Sequence, residues 1–485
     1  NVKTSGYTRQ RLDQVSLNTR GLTSIYESPN GAHIGSGVMV TGVSQIRDPF
    51  LDSRYRLEMS NLGGIDKKVA ILDKLGVIFD EADRSALDDQ FGDFAKQLLA
   101  LQANSNDDAT DSMCRSSAQT ITDLFRQYSS QISEVKTDLV NSTTEDVKDI
   151  NDTLKKIEKL TTSIKESQVH GNPALELQDE RNLAIDQLAT YANIKVTHNT
   201  DLTMTGASVD ILKIELMGSA NSPISLIDDT HPAAQFSLVS PNQGYNQDYT
   251  MAITDSRGVT LSQVTSDKGS FKTSLSMLNN GGEFDTPQSS SRGIAYYEGV
   301  LDGLAEKFAT EFNKLNAPVQ QADGTFLGGN LFASTDGSAK ITAANITLSS
   351  GWLNGTVHLL SSRTPDAPSG ENSNIGNMIS AMDKKQEFKT PAGTISFNGT
   401  FQECFTNMVN VEAIDQKSAT TSLKNYLTVT TQLANSKDSV SGVNQDEEVM
   451  NMMQFNTSLN AASRLMTALD ETLSTIISSM GLVGR

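Results

Sequence analysis

Hydrophobic positions near the C-terminal end keep a single unbroken period. Met452, Phe455, Leu459, Ala462, Met466, Leu469, Leu473, Ile476 and Met480 recur at alternating three- and four-residue steps, the a/d seam of a helix that lies along another helix. Asn456, Thr457, Ser458, Asn460, Arg464, Asp470 and Glu471 fall outside the seam and favour water or a polar partner. The start is marked too: Asn444 can cap the first turn, Glu447 stands three residues on, and Asp446 and Glu448 suit the positive helix end. An isolated helix of this size is marginal in water, while burying each seam side chain is worth roughly 1.5–3 kcal/mol. The segment is therefore expected to be poorly ordered alone and firm once paired. Two partners stay open: another helix of the same chain, closing a hairpin, or a neighbouring molecule. No later stretch of the sequence is expected to supply one.

Upstream, the pattern changes period several times. Leu12–Leu17 and Ile34–Val43 alternate apolar and polar residues, as short strands do, with Gly31, Gly35, Gly37 and Gly42 at bends. From Leu62 the spacing becomes helical, with Leu62, Ile65, Val69, Leu72 and Phe79 on one face, then Leu87, Phe91, Phe94, Leu98 and Leu101 on the next. Asn104–Asp111 reads as a polar linker. Ala118, Ile121, Phe125, Tyr128, Ile132, Val135 and Leu139 predict a long coiled-coil helix, which resumes at Val147, Ile150, Leu154 and Ile157 after a slip through Thr143. Such a slip locally unwinds a coiled coil without ending it. Asp152 ahead of Lys155 and Lys156 predicts exposed pairs along this rod. Gly171-Asn172-Pro173 punctuates: Gly to end a helix, Asn to cap the next and Pro at its first position. The next helix places Leu177, Ala184, Leu188 and Tyr191 on one side.

Near Ile194 the chain turns to alternating strands rich in Thr, Ser, Asn and Gly. Leu212, Ile214 and Leu216 interleave with Lys213 and Glu215, and Tyr249, Met251 and Ile253 lead through Ser256-Arg257-Gly258 to Val259 and Leu261, a hairpin. Helical spacing returns at Ile294, Tyr297, Leu301, Leu304, Phe308 and Leu315. Residues 325–400 are mixed, with a strand over Ile341–Leu348 and the lone Trp352 as a core anchor. Helix resumes at Phe401, with Leu423, Tyr426 and Leu433 on one face, and breaks at Ser439-Val440-Ser441-Gly442. The order is helices, strands, helices. It predicts a multidomain α+β chain: an elongated helical coiled-coil domain split in sequence (1–194 and 284–440), a β-rich domain inserted at 195–283, and a C-terminal heptad helix at 441–485.

Composition narrows the function. The net charge of −19 over 485 residues argues against nucleic acid or an anionic membrane as partner. No apolar run of 18 residues occurs, and no charged-then-apolar leader opens the chain, which begins at Asn1 and is read as processed or cut. Two cysteines, Cys114 and Cys404, make no disulfide framework, and free buried thiols are the simpler reading. His33, His170, His198, His231 and His358 are scattered and lack metal-site spacing. Gly35-Ser36-Gly37 is no phosphate loop, and no Gly-x-Ser-x-Gly elbow occurs. The acidic cluster Asp80, Glu81, Asp83, Asp88 and Asp89 reads as a solvated loop. No cofactor, metal or catalytic residue is expected.

Several stretches resemble bacterial flagellar axial proteins. Asn1-x-x-Thr4-x-Gly6-Tyr7-Thr8-Arg9-Gln10 is similar to the segment after their N-terminal helix, and Ser441-Gly442-Val443-Asn444-x-Asp446-Glu447-Glu448 to their C-terminal end. The discriminating stretch is Gly171-Asn172 with Leu177-Gln178-Asp179-Glu180-Arg181-Asn182, which resembles the Leu-Leu-Asp-Gln-Arg-Asp motif of the hook-associated protein 1 (FlgK) family, with Glu180 in place of the usual Gln. Glu306–Leu315, Asn330-Leu331-Phe332, Ile341–Leu348 and Asn372-x-Asn374 fit the same family, although no His follows Asn313. The family's N-terminal helix is expected to be missing. The resemblance implies a structural subunit of the hook–filament junction, exported unfolded through the flagellar type III channel. Its partners would be copies of itself in a ring, hook protein and hook-associated protein 3, with a cytoplasmic chaperone on the C-terminal helix before export. The alternatives are another axial subunit, or an adhesin or enzyme carried on an axial scaffold.

Overall fold

A computed structural model describes residues 6–16, 38–81, 86–104, 108–202, 208–218, 223–241, 248–264, 266–285, 287–289, 291–368 and 370–480. Asn1, Thr4, Leu17, Ile34–Gly37, His33 and Asp83 lie outside them, as do the side chains of Asp80, Glu81 and Met480. The chain opens with an antiparallel ribbon, β1 (Gln10–Ser16) and β2 (Val38–Gln45). Four helices follow: α1 (Pro49–Glu81), α2 (Ala86–Ala103), α3 (Asp108–Val169) and α4 (Leu175–Tyr191).

Two three-stranded antiparallel sheets come next. The first is β3 (Ile194–Leu202), β4 (Ser208–Leu216) and β5 (Ile224–Ile227); the second is β6 (Gln235–Val239), β7 (Thr250–Thr254) and β8 (Thr260–Val264). Strand character ends there, and α5 (Ser270–Asn279) and α6 (Ile294–Leu315) return the chain to the helices. Small antiparallel pairs, β9 (Val319–Gln320) with β10 (Phe326–Leu327) and β11 (Phe332–Ser334) with β12 (Ile346–Leu348), precede α7 (Ser350–Leu353) and α8 (Ser373–Asp383). A last pair, β13 (Gln386–Lys389) and β14 (Ile395–Gly399), leads into α9 (Phe401–Ser441) and α10 (Gln445–Met480).

Phe308 of α6 sits at the centre of the main core. Its ring lies 4.9–6.4 Å from those of Phe91, Phe94, Phe125, Phe312, Phe332 and Phe401. Residues on both sides of the β-rich stretch therefore bury their aromatic surface against the same ring. The lone Trp352 is fully buried, edge-on to Phe332. Cys114 and Cys404 are buried here as free thiols, and burial pushes both up to about 12, which leaves them protonated and unreactive.

A second core gathers the latter part of α3, α4, the six strands β3–β8 and Phe271 of α5. The 62-residue α3 serves both cores without a break. Its contribution to the first ends at Leu139 and Val140, and its contribution to the second begins at Val147. The phase slip of the sequence falls between them: it rotates the apolar stripe from one partner set to the other. Thr143, at the slip, is fully buried and donates its hydroxyl to the Leu139 carbonyl at 2.7 Å, so no polar group is stranded.

Several details differ from the sequence expectation. Helix α1 begins at Pro49, capped by Asp48 Oδ1 accepting the Phe50 N–H at 2.9 Å, and not near Leu62. Asn172 does not cap α4; it accepts the Ala174 N–H at 3.0 Å, and the helix starts at Leu175. Gly171, at φ +82°, does end α3. Lys156 reaches across to Glu180 of α4 at 2.8 Å. The strand expected over Ile341–Leu348 is confined to Ile346–Leu348, and α9 runs through Ser441, so the break falls at Gly442. Asp88 of the acidic cluster accepts the Thr406 hydroxyl at 2.8 Å and so belongs to the α2–α9 contact.

Asp302 of α6 gives the fold a pH dependence. Burial raises its carboxyl to about 6, opposed by the Ala343 N–H that it accepts at 2.9 Å and reinforced by Glu298. The folded chain thus holds this proton more tightly than the unfolded one, so the contribution is full below pH 4 and is lost as pH rises through about 6. Asp302→Asn keeps the acceptor and removes the charge. Urea unfolding is expected to show a gain of about 1–3 kcal/mol at pH 7 and none at pH 4.

Candidate assembly site

The seam helix α10 projects from the body with its apolar face bare. Met452, Phe455, Leu459, Met466, Leu469, Leu473 and Ile476 are 54–70 % exposed, and Ala462 is exposed as well. Exposed Met450, Met453, Leu465 and Ile477 flank them and widen the stripe beyond a strict a/d seam. The helix nonetheless runs the full length from Gln445 to Met480, a stretch that contains neither Gly nor Pro. Asn444 accepts the Asp446 N–H at 2.9 Å, as an N-cap does. Glu447 is turned instead toward Arg9, at 3.3 Å.

The end of α9, from which α10 follows, is tied to the body. The Arg9 backbone N–H donates to the Ser441 carbonyl at 2.7 Å, and Arg9 in turn accepts the Ile46 N–H at 2.9 Å. These bonds tie the segment before β1, the segment after β2 and the end of α9 into one joint. Beneath it lies a buried ion-paired node built from α1, α4 and α9. Lys437 bridges Asp186 at 2.7 Å and Asp52 at 3.2 Å, with its ammonium 4.8 Å from the Tyr55 ring centroid. Arg56 pairs with Asp186 at 2.7 Å and donates to Asn182 Oδ1 at 3.3 Å, while Arg47 pairs with Asp52 at 3.3 Å. Asp179 accepts both the backbone N–H and the hydroxyl of Thr8, at 3.0 and 2.6 Å. Burial pushes the Asp52 carboxyl up, but Arg47, Lys437 and Arg56 together hold it below its usual value. Removing one member strands a buried charge, which is why such nodes fix a geometry.

Sequence reading singled out the bare seam and the motif residues Thr8, Asp179, Arg181 and Asn182. It missed Asp52, Arg56, Asp186 and Lys437. Asp52, Arg56 and Ser60, all buried, take the core-facing positions of α1 at steps of four, so the stripe is polar and invisible to hydrophobic periodicity. The four-residue spacing and the Asp-Pro start were the signals available. Arg181, fully buried, leaves the node and reaches Asp210 of β4 at 2.5 Å, fastening α4 to the first sheet. Among the described residues no group of three or more His, Cys, Asp and Glu could hold a metal ion, and no helix is long and apolar enough to cross a membrane.

The chain as a whole is similar to known proteins. The helical-domain family of the flagellar hook-associated protein FlgK matches residues 72–332. Flagellar hook-associated protein 1 of Bacillus subtilis (strain 168) is 26% identical over 497 residues, spanning 100% of this chain and 94% of the relative. The solved flagellar hook junction protein FlgK from Burkholderia pseudomallei shares the fold at a TM-score of 0.59 and 13% identity, covering 80% of this chain and 100% of that one. The family match extends over more than half of the chain, taking in the second hydrophobic core and much of the first, and on that ground the chain belongs to the FlgK family of flagellar hook-associated proteins.

Proposed function

We propose that this chain is a structural subunit of the bacterial flagellum that joins hook to filament. The observation that carries the reading is the bare apolar face of α10, which follows the ion-paired end of α9. A lone helix of this kind is marginal, and seam side chains return roughly 1.5–3 kcal/mol each when buried, so the surface is suited to copies of the chain arranged in a ring. Hook protein on one side and hook-associated protein 3 on the other are the neighbours that such a junction requires. Before assembly the same face needs a cover, and a cytoplasmic export chaperone on α10 would supply it while the unfolded chain awaits the type III channel. The 1–194 and 284–440 segments serve as the body, 195–283 as an outward insert and 441–485 as the assembly element. Nothing in this role calls for a catalytic group.

Gold-labelled antibody on intact flagella is expected to mark a single band between hook and filament. Labelling along the hook, or only at the filament side of the junction, would assign the chain to the hook protein or hook-associated protein 3 class instead.

A further inference from the structure

The apolar face of α10 is rich in methionine. Met452 and Met466 share one heptad column with Leu459 and Leu473, and Met450 and Met453 border it. All four are 63–69 % exposed. Among the described residues, Met39 of β2 and Met113 of α3 are the only other methionines at least half exposed, while Met251, Met277, Met378, Met382 and Met408 are buried in the two cores or beside them, at 6 % exposure or less. A thioether is a flexible apolar group that adapts to a partner, but its sulfur lone pairs are open to oxidants wherever solvent reaches them. Leucine would fill the same positions with comparable helix propensity and without that reactivity.

We propose that Met450, Met452, Met453 and Met466 form a site of reversible oxidation by hydrogen peroxide, and that their sulfoxides disable the apolar face of α10. The consequence for assembly rests on the proposed junction role; the site itself does not. In the chemical step a sulfur lone pair attacks one peroxide oxygen. The S–O bond forms as the O–O bond breaks, and the proton on the new oxygen passes to the departing hydroxide, which leaves as water. Sulfur loses two electrons and peroxide gains them. The sulfoxide oxygen is a strong acceptor that water satisfies on a bare helix and an apolar seam does not. The free chain is the susceptible state, because a covered seam keeps peroxide out. Sulfoxide reductases reverse the change, so oxidation would hold a subunit back from assembly without destroying it.

The test treats the full chain with dilute hydrogen peroxide and follows each methionine by peptide mass spectrometry. In the folded chain the four on α10 are expected to oxidise at least about tenfold faster than the five buried ones, which react only when the fold opens. Met39 and Met113 serve as exposed references. Equal rates for the α10 and buried methionines overturn the site. A second arm compares cells carrying the parent with cells carrying Met450→Leu, Met452→Leu, Met453→Leu and Met466→Leu together, changes that keep apolar volume and helix propensity. Grown in sublethal peroxide, the parent is expected to attach at least about twofold fewer filaments than the variant, counted by electron microscopy. Equal counts overturn the effect on α10. Peroxide treatment of isolated flagella separates the site from the junction role: there the same four methionines should be protected at least about tenfold relative to the free chain. Rapid oxidation in flagella, with selectivity kept in the free chain, upholds the site and overturns α10 as a covered seam.

Discussion

Leu459→Asp, Leu469→Asp or Ile476→Asp is expected to abolish filament attachment while leaving the isolated chain as stable as before. All three side chains are more than half exposed, on a helix with no extensive contact to any other element. The substitution therefore removes no packing within one molecule and costs only the helix-propensity difference, about 0.5 kcal/mol. In an assembly each change forfeits roughly 1.5–3 kcal/mol of burial and adds a carboxylate that must be desolvated at the contact. Every copy in a homomeric contact would carry the same defect. Urea unfolding of the purified variants, beside swimming assays and electron microscopy of cells, separates the two effects. Cells that keep normal filaments with any of these substitutions would remove the seam from the account.

Phe308→Ala is expected to do the reverse, destabilising the fold by about 3–5 kcal/mol without touching the assembly face. Six aromatic rings from α2, α3, α6, β11 and α9 meet this one side chain. The cavity left by its removal cannot close by moving one element, since the others are held from opposite ends of the sequence. The urea midpoint should fall accordingly. A loss below about 1 kcal/mol would mean that the segments before and after the strands do not share a core.

Much of this architecture was legible, and the reason is periodicity. Helices α2, α6 and α10 carry uninterrupted apolar stripes, whereas the stripe of α3 changes phase at Thr143 and its start at Asp108 falls inside the stretch Asn104–Asp111 read as a linker, because its first turns are polar. The slip through Thr143 was visible as a change of phase, though not its purpose, because a stripe does not say which partner it faces. The start of α1 was hidden because its inward residues are Asp52, Arg56 and Ser60. The node was hidden for a related reason: Lys437 and Asp52 are far apart in sequence, and isolated charges carry no marker of burial. The period of α10 was legible because its apolar stripe has no partner among the described residues, so one helix contains the whole signal.

The continuity of α3 has a mechanical consequence. At about 1.5 Å per residue it is a column roughly 93 Å long, gripped by one core along its first part and by the other along its last. Torque applied to the sheets of the second core would pass into the helices of the first through one hydrogen-bonded strut, with no loop in between to absorb it. Stiffness under torque would then be a property of the helix itself, and a glycine or proline near Thr143 would turn a shaft into a universal joint.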